Sequence, residues 1–237
     1  MTTLDNLKKN LREFERPEKA KFLKRFFKTG KGEYAEGDLF LGLMTDETRS
    51  IAKKYSDLSF SDLATLLSSK IHEERVVALM ILSKRFDKAG SLERKDIYEF
   101  YLENLDGVNN WDLVDGSASN IIGKYLFESK ASKEFLFDYA RSDNLWKRRI
   151  AMMSTFFNIK QNDFKDALII AEILLNDKHD LIHKAVGWML REIGNRDLNT
   201  EEEFLKKYYK KMPRTMLRYA IEKFPESLRK QYLYSKI

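Results

Sequence analysis

Apolar residues recur along most of this chain at spacings of three and four, the period of one face of an α-helix. The pattern predicts helices over Leu4–Phe14, Glu18–Lys28, Val76–Phe86, Leu92–Leu105, Trp111–Phe127, Leu145–Ile159 and Ile182–Ile193. Alternation of period two, bounded by turn residues, is hard to find. The prolines are Pro17, Pro213 and Pro225, so none interrupts residues 18–212. Thr200 followed by Glu203 reads as a capping box, and Gly90 and Gly194 sit where helix C-terminal caps are expected. The segment Gly30–Gly42 is the one long loop signal. An all-α chain is expected.

Helices of similar length invite a search for a repeat. Segments beginning at Ile71, Trp111, Leu145 and Leu181 fall into one register, their starts 40, 34 and 36 residues apart. These offsets suit the two-helix units of a solenoid. The fourth residue after each start is Arg75, Asp115, Arg149 and Ala185, which makes Asp115 and Arg149 equivalent positions on neighbouring helices. Stacked arrays curve, and equivalent faces line one concave surface. The expected organisation is a single domain over residues 1–237, with N-terminal helices in 1–28, a loop over 29–45 and helical repeats over 46–237.

Composition narrows the function classes. The 237 residues carry 43 Lys+Arg against 37 Asp+Glu, for a net charge of +6. That balance allows a nucleic-acid partner without demanding one. The absence of cysteine excludes disulfides, thiolate metal sites and cysteine nucleophiles. His72, His179 and His183 lack metal-ligand spacing, so no metal is expected. The longest apolar stretch, Ala167 to Leu175, contains Glu172 and is too short for a bilayer. The N-terminus shows no basic region leading into an apolar run. A monomer free in the cytoplasm, with no membrane association, is expected.

Three segments carry candidate chemistry. In Asn109-Asn110-Trp111-Asp112-Leu113-Val114-Asp115, an indole and a carboxylate stand four residues apart, on one helical face. Basic and aromatic residues mix in Leu145-Trp146-Lys147-Arg148-Arg149 and again in His183 to Arg191. Lys184, Trp188 and Arg191, at i, i+4 and i+7, form a stripe suited to phosphate contacts around a stacking ring. Each has a plain reading. Trp111 packs in a core and Asp115 pairs with a lysine; Arg148 and Arg149 form a solvated basic face; His183 is structural or touches phosphate. Asp112 points about 100° away from Trp111 and is expected to satisfy a helix terminus or an arginine. Tyr34, Tyr208 and Tyr209 could contact a DNA backbone, but each is read as buried or half-buried. Gly30-Lys31-Gly32 is too short for a phosphate loop, and no Gly-x-Ser-x-Gly elbow occurs.

With these residues in view, the sequence resembles the AlkD-like family of DNA alkylation-repair glycosylases. The likeness rests on Glu36 to Gly42, Asn109 to Asp115, Ser142 to Arg149 and His183 to Glu192. They occur in family order, and the likeness spans approximately residues 18–225. The resemblance implies a HEAT-like repeat solenoid with a basic concave groove for duplex DNA. It implies excision of bases alkylated at purine N3 or N7 with no cofactor. It places the active-site tryptophan and aspartate at Trp111 and Asp115, their accompanying arginine at Arg149, and a second cleft tryptophan at Trp188. Lys147, Arg148, Lys184, Arg191 and His183 join Trp188 as expected DNA contacts. Phe26 stands where some members have tyrosine, and Gly116 follows the aspartate where a better helix former is expected.

The chemistry fits these residue types. An alkylated purine is cationic and leaves as a neutral base, so little acid catalysis is needed. The barrier lies in the oxocarbenium-like sugar, which a carboxylate can stabilise while orienting water. That role is assigned to Asp115. A family member that binds DNA without excision, and a helical-repeat scaffold for proteins, are the competing expectations. The second would need an apolar groove in place of a basic one.

Overall fold

The computed structural model describes residues 2–237, and every long element among them is an α-helix. Contacts gather the chain into two units, one running to Ser117 and one from Ala118 to Ile237. The first contains α1 (Thr3–Glu13), α2 (Pro17–Phe26), α3 (Thr45–Lys54), α4 (Phe60–Leu67), α5 (His72–Lys88), α6 (Ser91–Glu103) and α7 (Trp111–Ala118). The second contains α8 (Lys124–Ser129), α9 (Glu134–Ala140), α10 (Leu145–Ser154), α11 (Phe156–Lys160), α12 (Lys165–Ile173), α13 (Asp180–Gly194), α14 (Leu198–Tyr208), α15 (Arg214–Ala220) and α16 (Glu226–Leu233). The four helix starts of the repeat register coincide with real ones. Ile71 caps α5, Trp111 and Leu145 open α7 and α10, and Leu181 is the second residue of α13.

Local chemistry sets many boundaries. Thr2 and Asp5 form a capping box on α1, Ser59 and Asp62 one on α4, and Pro17 occupies the first position of α2. Other expectations are corrected. Helix α14 begins at Leu198 because Asp197 caps it, accepting from the Thr200 amide at 3.2 Å and hydroxyl at 2.7 Å. Thr200 is therefore the third residue inside the helix. Gly90 precedes α6 at φ −74° and ends no helix in left-handed conformation. Gly194 lies within the last turn of α13, where a Cβ would meet Glu201 Oε2 at 1.6 Å. The long helix expected over Trp111–Phe127 is interrupted by a π turn at Ser119–Gly123.

In the first unit, α5 runs through the core and buries residues on every side, including Val77, Ile81, Leu82 and Phe86. Helix α1 docks on it through Leu7 and Leu11 and through two cations. Lys8 and Arg12 approach the buried Glu74 carboxylate at 3.5 and 3.7 Å, so that buried charge is compensated. In the second unit, Ile182, Val186, Met189, Leu190 and Ile193 form the buried face of α13. Gly187 on that helix admits α15 at backbone distance, since a Cβ would lie 2.4 Å from the Met216 carbonyl oxygen.

Candidate active site

The site in the first unit starts from the loop before α3. Leu39 pairs with Ile71 in an isolated parallel bridge: its amide donates to Lys70 O at 2.9 Å, and its carbonyl accepts from His72 N at 2.8 Å. The next residues are gathered by Glu73, in the first turn of α5 and 4% exposed. Its carboxylate accepts the Leu41 amide at 3.0 Å, the Gly42 amide at 2.8 Å and the Leu43 amide at 3.4 Å. Gly42 needs to be glycine. Its φ is +89°, and a Cβ would sit 2.5 Å from Arg16 O and 2.8 Å from Ala20 N.

This pinned loop delivers Phe40 to an aromatic cluster. Phe40 stacks on Phe27 with centroids 5.1 Å apart, and on the His72 ring at 4.6 Å. Phe27 in turn stacks on Trp111 at 5.2 Å with only 15° between planes, while Phe26 meets Trp111 edge-on at 6.1 Å. Trp111 is thus braced by two rings of the α2 end. The cluster forms one wall of a cavity of about 450 Å³ that Lys19, Leu43, Met44, Asp112 and Gly116 also line.

The sequence does not connect His72 with its partners. The buried His72 donates from Nε2 to Asp112 Oδ2 at 2.7 Å, and its Nδ1 lies 3.5 Å from Asp38 Oδ2. Burial opposes charge on the ring, but Asp112 and Asp38 outweigh it and hold its pKa above the usual value. Burial likewise opposes charge on Asp38. Hydrogen bonds from His72 and from Arg75 (2.6 Å) prevail and keep that carboxyl below its usual range. Asp112 Oδ1 accepts from the Leu113 amide at 2.9 Å, so both oxygens are occupied. Its partner is therefore a histidine, where an arginine or helix terminus was expected. Asp115, one turn beyond Trp111 on α7, is half-buried and does not line the cavity. The available signal was Asp38 inside the Glu36–Gly42 segment and Arg75 in register with Asp115.

In the second unit, three candidates converge on the start of α13. Arg148 donates from Nε to Asp177 Oδ2 at 2.6 Å and from Nη1 to the carbonyls of Ser142 and Asp143, both at 2.9 Å. Arg149 is 4% exposed and donates to the Leu181 carbonyl. His183 Nε2 meets the Asp177 carbonyl. These side chains hold a helix start in place. Lys184 pairs with Asp180 at 2.6 Å and Arg191 pairs with Glu222. Lys147 lies over the Tyr139 ring, 5.4 Å from its centroid. Trp188 is half-buried, tilted against Phe156 at 5.8 Å, and donates to Glu192 at 3.3 Å. The stripe of Lys184, Trp188 and Arg191 exists, but both cations on it are partnered by carboxylates.

The model of one family, the DNA alkylation repair enzymes, matches residues 7–224. The chain belongs to this family. Among solved structures, a predicted DNA alkylation repair enzyme from Enterococcus faecalis aligns at 16% identity over 90% of this chain and 97% of that one, with a TM-score of 0.67. AlkD2 from Streptococcus mutans aligns at 17% identity over 86% and 99%, with a TM-score of 0.57. Smu.31 from Streptococcus mutans UA159 aligns at 17% over 95% and 100%, with a TM-score of 0.53. These likenesses establish a shared helical fold. No curated protein matches the chain. As a DNA alkylation repair enzyme it acts on DNA, and no group of three or more His, Asp or Glu among its described residues is placed to hold a metal ion. No described helix is long and apolar enough to cross a membrane.

Proposed function

We propose that this DNA alkylation repair enzyme is a monofunctional glycosylase that hydrolyses the N-glycosidic bond of purines alkylated at N3 or N7 in duplex DNA. It acts as a single-domain monomer, without a cofactor, in the cytoplasm and at the nucleoid. The observation that carries this reading is the pairing on α7 of Trp111, braced against Phe27 at 5.2 Å, with Asp115 one turn further along. Asp112 is the nearer carboxylate by sequence, but His72 and the Leu113 amide take its oxygens. Asp115, the carboxylate that the family resemblance picks out, is assigned the chemical role.

The alkylated base departs neutral and needs no proton. Positive charge develops on the sugar, where the Asp115 carboxylate stabilises it and orients the attacking water. Trp111 offers its ring face to the same developing charge, an attraction of about 1 kcal/mol or more once desolvated. Duplex DNA is gripped by Lys147, Lys184 and Arg191, with Trp188 packing on the backbone. Lys184 and Arg191 pair with exposed carboxylates, and surface pairs contribute only about 0–1 kcal/mol. Phosphates can therefore replace Asp180 and Glu222. Arg148, Arg149 and His183 act one step back by fixing the start of α13, the helix that presents this stripe.

Purified protein incubated with methylated duplex DNA tests the reading. Release of 7-methylguanine is expected, with no base released from undamaged duplex. Salt-sensitive duplex binding without release would indicate a binding-only relative. Absence of both would indicate a protein scaffold.

A further inference from the structure

Two lysines of the second unit rest on aromatic rings. Lys130 Nζ lies 4.4 Å from the centre of the Phe127 ring, and Lys160 Nζ lies 4.2 Å from the centre of Phe156. Both lysines are exposed, and among the described residues neither pairs with a carboxylate. The cations of the α13 stripe differ. Lys184 pairs with Asp180 and Arg191 with Glu222, so each releases a carboxylate before it takes a phosphate. A ring face leaves the charge of an ammonium uncancelled and attracts it only weakly at an exposed site. Lys130 and Lys160 can therefore receive an anion without first giving one up.

Their rings run into Trp188. Phe156 is tilted against Trp188 with centroids 5.8 Å apart, and Phe157, the next residue, meets Phe127 edge-on at 5.5 Å. The row thus passes from α8 through α11 to α13, and a cation follows each lysine-bearing ring and Trp188 by about one helical turn. Lys130 comes three residues after Phe127, Lys160 four after Phe156 and Arg191 three after Trp188. Lysine covers the Phe127 and Phe156 faces, so a base cannot stack there. The complement of this row is a sugar–phosphate backbone, which is anionic and the same at every sequence.

Lys130 also stands where the backbone favours another residue. It ends α8 in the left-handed region, at φ +56°, the position at which glycine is preferred because a Cβ adds strain. The fold does not need a lysine there, and its side chain is free to serve a ligand.

We propose that Lys130 and Lys160 are phosphate-binding residues that, with Trp188, carry the backbone of duplex DNA across the second unit beyond the α13 stripe. The proposal rests on the reading of Trp188 as a DNA contact.

Fluorescence anisotropy with a labelled, undamaged duplex tests it, with salt varied between about 0.05 and 0.2 M. Lys130→Ala and Lys160→Ala should each flatten the logarithmic salt dependence by about 0.9 and weaken binding about eightfold near 0.1 M salt, the share of one phosphate contact over the decade up to about 1 M. Lys160→Arg, which keeps the charge, should restore binding. Lys130→Gly should bind as weakly as Lys130→Ala yet melt at or above the wild-type midpoint, which separates DNA contact from a role in folding. Lys236→Ala removes a lysine that lies over Tyr234, outside the row, and should change the slope by less than half as much. A wild-type slope in either Lys130→Ala or Lys160→Ala, or an equal loss in Lys236→Ala, would overturn the proposal, as would salt-independent binding by the wild type. Failure of the wild type to release 7-methylguanine would instead overturn the proposed activity and leave this comparison, made on undamaged DNA, intact.

Discussion

Replacing Glu73 with Gln keeps the side chain's size and removes one acceptor oxygen, which isolates the role of its carboxylate. In the native protein Oε2 accepts Leu41 N at 3.0 Å, and Oε1 accepts Gly42 N at 2.8 Å and Leu43 N at 3.4 Å. A glutamine that keeps its oxygen on Gly42 and Leu43 turns an NH2 group toward the Leu41 amide, donor against donor. Leaving that buried amide unpaired costs about 1–3 kcal/mol, and the two surviving bonds each lose about 1 kcal/mol on changing from charged to neutral acceptors. Removing a buried charge returns part of this, so the net loss is about 3 kcal/mol. For a chain of this size each kcal/mol moves the thermal midpoint by about 2–4 °C, giving a drop of about 6–12 °C. Far-UV circular dichroism on heating at pH 7 measures it. A midpoint within about 2 °C of the wild type would refute the idea that Glu73 pins this loop, and with it the account of how Phe40 reaches Phe27 and His72.

Gly42→Ala should cost about 3–5 kcal/mol, from left-handed strain and overlap with the α2 backbone; Gly32→Ala, at φ +78° with open space around it, should cost about 1–2 kcal/mol in the same melting assay. Burial, helped by Glu202 and opposed only in part by Arg191, pushes Glu201 up to about 9, against an ordinary value of 4.5. The folded state thus holds a proton that the unfolded chain releases, and stability present below pH 4.5 is lost between pH 4.5 and 9 at up to about 1.4 kcal/mol per pH unit. Glu201→Gln should flatten that slope in denaturant titrations run from pH 5 to 8, and an unchanged slope would assign it to other groups. Lys184→Ala and Arg191→Ala should each weaken duplex binding evenly across sequences and flatten its logarithmic salt dependence by about one unit. Salt-independent affinity would contradict phosphate contact by either residue.

Helical periodicity exposed the elements that bury one face, such as α1 and α13, because burial and period are the same information there. It also placed the helix starts of the repeat register. It joined what the structure divides at Ser119–Gly123, because no proline marks the break and Ser154, which packs against Gly123, lies some thirty residues away. Thr200 lost the capping role to Asp197, since both satisfy the same local rule and only backbone geometry decides between them. Trp111 and Asp115 were legible because their spacing lies within one helix. The His72–Asp112, Arg75–Asp38 and Glu73–loop contacts were not, because each joins residues at least thirty positions apart. A glutamate in a first helical turn looks like an ordinary dipole partner until its loop is seen folded over it. The cations of α13 share the spacing of one stripe, while Glu222, which pairs with Arg191, lies on a distant segment that periodicity does not connect.

The central claim is that Asp115 acts on the cationic sugar while Asp112 is structural. Single-turnover release of 7-methylguanine by wild-type, Asp115→Asn and Asp112→Asn proteins, measured beside their duplex affinities, tests it directly. Asp115 repels phosphates in the ground state and helps only as charge develops. Its amide variant should therefore bind duplex as well as or slightly better than wild type and excise more slowly, with a loss near the lower end of the 10²–10³-fold typical for one electrostatic group. Asp112→Asn should instead lower the thermal midpoint, because it weakens the partner of buried His72. Excision by Asp115→Asn at the wild-type rate would show that Asp115 is not the catalytic carboxylate and would contradict the mechanism.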